Sequence, residues 1–205
     1  MDAHLRAGVA VYNAGGYHAA HDAWEDHWLG LEAGTDDERL LHGLIQFTAA
    51  VHHAYGGNWE GLRGLATSAA DYLDGLPDGY RGVNVDEIRA YLRALRDDPE
   101  HVERVAPPEL RHEGRALGLS DLDFEGVAVA AEVLAEEVDA YDEAVVEDAV
   151  RYARDSLPEG GRFVALVSDF VTDAGNRDLV HRRLADHVAR RRGEERDVDG
   201  LFDPE

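Results

Sequence analysis

Apolar residues recur along this chain at the three-and-four spacing of an α-helix, and glycine or proline stops each run within about twenty residues. The spacing predicts a short helix over 2–13, stopped by Gly15-Gly16, and a second from Tyr17 to about Leu29. Thr35-Asp36-Asp37-Glu38 reads as a capping box, with Thr35 capping a third helix and Glu38 reaching back. That helix runs to Tyr55 and ends at Gly56-Gly57, where Asn58 caps a fourth, lasting to about Leu73. Asn84 with Glu87 caps a fifth, to about Arg96.

The second half is less regular. Pro99, Pro107, Pro108, Gly114 and Gly118 mark residues 99–120 as a linker or wrapping segment. Residues 123–152 read as two helices broken near Asp139–Asp142, although Val127 to Val133 and Phe163 to Val171 are β-branched enough for strands. Leu179, Val180, Leu184 and Val188 share one face of a terminal helix over 176–192. The expected fold is all-α: an antiparallel helical bundle (1–98), the segment 99–120, an additional C-terminal helical module (121–192) and a frayed tail (193–205).

Hydrophobic residues are 44% of the chain, enough to build a core. The acid is what stands out: Asp and Glu number 43 against 20 basic residues, every one of them Arg, for a formal net charge of −23. The acid is spread along both halves, which favours adaptation of a whole surface to molar salt over one acidic patch. It argues against nucleic-acid binding, which needs a basic face. With 0 Cys there is no disulfide framework and no thiolate metal site. No apolar run is long enough to cross a membrane, and the opening residues lack a signal-peptide pattern, so the expected compartment is the cytoplasm.

The polar residues of the second and third helices carry whatever chemistry the chain has. Tyr17, His21, Trp24 and Trp28 form one helical stripe with Glu25 beside it. The third helix is apolar over most of its circumference, yet His42, Gln46 and His53 share a stripe beside Gly43, Ala49 and Ala50. Buried polar groups need partners, so His21 and Glu25 are expected to face Gln46 and His53. His52, Trp24, Trp28 and Trp59 are expected in the core, and His18 and His27 at the surface.

Residues 13–28, NAGGYHAAHDAWEDHW, followed by Leu41-His42-Gly43-Leu44-Ile45-Gln46, His52-His53 and Gly57-Asn58, resemble the two ordered motifs of the domain-of-unknown-function family numbered 309. The resemblance covers residues 9–75. It carries over to His21, Glu25, Gln46 and Asn58, with His52 or His53 matching the second motif's His. Tyr12, Ala19 and Asp22 depart from the usual Phe, Glu and Glu. The resemblance implies a small all-helical bundle and no reaction. We see the chain as an acidic, salt-adapted version of that family.

Two functions stand side by side. One is a scaffold or interaction module, with a protein partner or self-association, in which the His/Glu/Gln cluster only fixes helix register. The other is a small metal-binding protein or acid–base enzyme using His21, Glu25, Gln46 and His53. For a metal, His21 and Glu25 at i, i+4 are the candidate chelate and His53 the third ligand. A divalent metal is the one cofactor these residues allow. There is no G-x-S-x-G, no phosphate loop and no dinucleotide fingerprint.

Overall fold

The computed structural model describes residues 1–199. It is all-α apart from one small hairpin: α1 (Asp2–Asn13), α2 (Tyr17–Trp28), α3 (Asp36–Tyr55), α4 (Trp59–Leu73), α5 (Val85–Asp97), α6 (His101–Arg104), α7 (Phe124–Glu136), α8 (Glu143–Ser156), α9 (Arg162–Thr172) and α10 (Arg177–Asp199). The hairpin pairs β1 (Arg111–His112) with β2 (Arg115–Ala116), antiparallel. The chain divides into two compact units, Met1–Val133 and Leu134 onward.

In the first unit each of α1 to α5 packs on the next. Two glycines set how closely they approach. A Cβ on Gly8 of α1 would lie 2.2 Å from Trp24 Nε1, and one on Gly43 of α3 would lie 2.6 Å from Leu73 of α4. Trp24, Phe47, Leu5, Leu40, Leu41 and Leu44 are fully buried between the helices. The Trp24 indole donates to the Leu5 carbonyl at 3.3 Å, which satisfies its one donor inside the core.

Segment 99–120 belongs to this unit rather than separating it from the next. Asn13, at the end of α1, donates to the carbonyls of Leu110 (2.8 Å) and Leu117 (3.0 Å) and accepts from the Leu110 amide (2.9 Å). Asn84 holds the N-cap position of α5 as expected and donates to Glu87 Oε2 at 3.0 Å, but it makes no side-chain cap bond to the helix backbone, and its amide group also ties down the same segment. It accepts from the Arg111 amide at 2.8 Å and donates to the Glu109 carbonyl at 3.1 Å. The expected boundary at 99–120 therefore moves, and the units divide at 133/134, inside α7.

In the second unit α8, α9 and α10 pack on one another around Val146, Val150, Phe170, Val171, Leu184 and Val188. Residues 127–133 and 163–171 are helical, so burial of an amphipathic face outweighs their β-branched composition. Helix α10 continues through residues 193–199, which the sequence reading gives as frayed. The rest of that tail, 200–205, lies outside the described residues.

Candidate functional site

The polar stripe of α3 does not act as one cluster. Eleven residues of helix rise about 16 Å, and its two ends enter different environments.

At the start of α3, Glu38 is 9% exposed and collects three donors. Trp28 Nε1 donates to Oε1 at 2.9 Å, the Gly34 amide donates to Oε2 at 3.2 Å, and His42 Nδ1 lies 3.2 Å from Oε1. Tyr72 of α4 stacks on His42 with ring centroids 3.7 Å apart. The capping box is half as expected: Thr35 accepts from the Glu38 amide at 3.3 Å, but the Glu38 carboxylate reaches Gly34 and Trp28 rather than Thr35. Burial pushes the Glu38 carboxyl up; its hydrogen bonds from Trp28, Gly34 and His42 outweigh that and hold it below its ordinary value. This is a sealed network with its acceptors filled.

At the far end of α3 the arrangement is open. Tyr17, His18 and His21 of α2 and Thr48, Ala49, His52 and His53 of α3 line one pocket of about 150 Å³. The His21 side chain is 27% exposed and that of His18 61%, so solvent reaches it. His52 is exposed, not a core residue, with its ring 6.4 Å from His18 and 6.2 Å from His53. Burial, then the Tyr55 hydroxyl beside it, pushes the Tyr17 phenol up to about 12, so it stays protonated at neutral pH.

Each of two imidazoles is fixed by one neighbour. His21 Nδ1 lies 2.9 Å from Asp22 Oδ1. A carboxylate only accepts, so Nδ1 carries the proton and the neutral ring keeps its lone pair on Nε2. That bond, ahead of an opposing desolvation and the charges of Asp22 and Glu25, raises the His21 pKa above the ordinary value. His53 is set the other way. Asn58 Oδ1 accepts from the Gly61 amide at 3.1 Å, which turns Nδ2 toward His53 Nδ1, 2.9 Å away. The amide nitrogen only donates, so His53 Nδ1 accepts and its proton sits on Nε2. Gly61 is required here: a Cβ would lie 2.8 Å from Asn58 Nδ2 and 3.1 Å from His53 Nδ1.

Of the four expected site residues, His21 and His53 therefore meet at one pocket. Glu25 lies beside His21: His21, Asp22 and Glu25 each offer a donor atom within 4.8 Å of the others. Gln46 is half-buried and is not among the residues lining the pocket. His53 also fits poorly as a metal ligand, because the bond from Asn58 leaves its lone pair engaged and its free nitrogen protonated. Asp22, not Glu25, holds His21, a residue that sequence reading passes over as a departure from the family motif. The Asp22 Oδ2 is buried without a hydrogen-bond partner. His18 Nδ1 is 3.0 Å from it, close enough for charge attraction but off the line of a hydrogen bond. Trp28 and Trp59 are half-buried rather than core; Trp59 borders a surface groove with Arg63 and Asp98.

Both ends of the stripe, with Asn58 and Gly61, fall within one matched region. Residues 5–65 match the family model of a domain of unknown function, DUF309. The matched segment thus holds the whole pocket and most of the sealed network, Tyr72 excepted. A protein of Aquifex aeolicus (strain VF5), described only as an uncharacterized protein, is 31% identical over 108 residues. Those residues are 53% of this chain and 31% of that relative, so the match spans less than half of the relative's length. Among the described residues no helix is long and apolar enough to cross a membrane.

Proposed function

We propose that the matched segment binds a divalent transition-metal ion at the open end of α2, through His21 and Glu25 with Asp22 in support. The observation that carries this is the 2.9 Å contact between His21 Nδ1 and Asp22 Oδ1. A carboxylate on Nδ1 is the usual way to fix a metal-binding imidazole and raise its basicity, leaving Nε2 to face the ion. Glu25, one turn on, supplies the second arm of an i, i+4 chelate. The residues fit a borderline ion such as zinc, which takes nitrogen and oxygen donors together. Bound there, the ion supplies Lewis acidity beside an imidazole-lined pocket.

Zinc titration of the full chain by calorimetry tests this. His21→Ala should abolish the tight phase, Glu25→Gln should weaken it, and Asp22→Asn should cost about 10–100-fold in affinity. Asp26→Asn is the control for loose binding by surface acid. Equal zinc affinity in wild type and His21→Ala would overturn the reading. The proton on His21 competes with the metal, so affinity should rise as pH climbs through its raised pKa.

A second reading, an interaction module, has its own support. Ala90, Tyr91, Ala94, Val105, Ala106 and Pro108 border an apolar groove of about 460 Å³, and Val105 is 46% exposed. Concentration-dependent sedimentation, removed by Ala94→Asp, would favour it. We further propose that the acidic, Lys-free surface suits a chain working in a salt-rich cytoplasm.

A further inference from the structure

We propose that the pocket between α2 and α3 binds a small oxyanion, a carboxylate or a phosphate, with His53 as its donor and Asn58 as the residue that positions His53. The inference is independent of the metal, because it rests on the other face of the pocket.

Three observations carry it. The first is the lining. In a chain with a formal net charge of −23, the residues around this pocket are Tyr17, four histidines, Thr48 and Ala49, with no carboxylate among them. The His53 ring offers an N–H here, while the Thr48 hydroxyl is spent on the Leu44 and Ile45 carbonyls and His21 presents a lone pair on Nε2. The second is the fixed tautomer. Asn58 Nδ2 occupies His53 Nδ1 at 2.9 Å, and the Asn58 amide cannot turn over without losing the Gly61 amide that it caps. Any hydrogen bond that His53 gives an occupant therefore comes from Nε2–H. A group that can only donate selects an acceptor, and an anionic oxygen is the strongest one. The third is size. The pocket volume is about 150 Å³. That is room for acetate or inorganic phosphate.

The site also explains why the turn between α3 and α4 is built as it is. Gly61 leaves space for the Asn58 amide and the His53 ring, and the N-cap of α4 doubles as the lock on that ring.

The experiment is a titration of chelator-treated full-length protein with acetate and, separately, with inorganic phosphate at constant ionic strength. It is followed through the histidine ring signals by NMR. Glutamine places its amide N–H where His Nε2 lies, and asparagine places its own where Nδ1 lies. His53→Gln should therefore keep affinity within about threefold, and His53→Asn should lose about tenfold or more. The preferred anion identifies the source, carboxylate or phosphate. Wild-type affinity in His53→Asn would overturn the proposal, as would saturation by neither anion. Because no metal is present, a failure here leaves the zinc result standing, and a failure of zinc leaves this result standing.

Discussion

The Asp22 carboxylate lies 2.9 Å from His21 Nδ1, and the Asn58 amide lies 2.9 Å from His53 Nδ1. One neighbour accepts and the other donates, so two chemically identical rings show opposite faces to the same pocket. Asp22→Asn should bring the His21 pKa down toward that of a free imidazole, measured by NMR titration. The sign for stability follows from linkage. A raised folded pKa means that the pair stabilises the fold below the unfolded value, about 6.5, and that this contribution fades as pH rises through the folded value. Asp22→Asn should therefore cost most on the acid side of neutrality and least in alkali. His21 and Glu25 are legible in the sequence because an i, i+4 His/carboxylate pair is a helix-spacing signal. Asp22 and Asn58 are not, since each acts on an imidazole through local geometry that spacing does not encode: an adjacent side chain for one, a cap across a turn for the other.

At the scale of elements, α2 and α3 are tied twice, once by a sealed network and once around the pocket. Glu38 carries the sealed one. Glu38→Ala leaves the Trp28 indole and the Gly34 amide without their acceptor, and should destabilise by about 1–3 kcal/mol in urea denaturation. The depressed Glu38 pKa gives the opposite pH sign to His21: its contribution is present above the unfolded carboxyl value and is lost as pH falls through the folded one. The positions of α1 to α5 follow from apolar period and glycine stops, and are legible almost to the residue. The division of the α3 stripe is less so. His42, Gln46 and His53 share a face, but the neighbours at each end of a 20-residue helix differ, and those come from α2, α4 and the turn after α3. The β1–β2 hairpin is the other surprise. Its Glu113 and Gly114 turn, both at positive φ, lies in a segment with too few apolar residues to signal strands.

For the whole molecule, charge governs the response to solvent. A formal net charge of −23 on 205 residues repels itself at low ionic strength, and many of the ion pairs join exposed groups, worth little individually. Diluting sodium chloride from molar to about 10 mM lengthens the Debye screening from ~3 to ~30 Å. The urea midpoint should fall over that range and recover when salt is restored. An unchanged midpoint would remove the salt-adapted reading while leaving the pocket untouched.

The pocket's two-faced character is open to direct observation by long-range nitrogen–proton correlation of the histidine side chains, recorded in mild alkali. The His21 spectrum should show the proton on Nδ1 and an open Nε2, and that of His53 should show the proton on Nε2 and an accepting Nδ1. The reverse assignment for either ring would contradict the corresponding site.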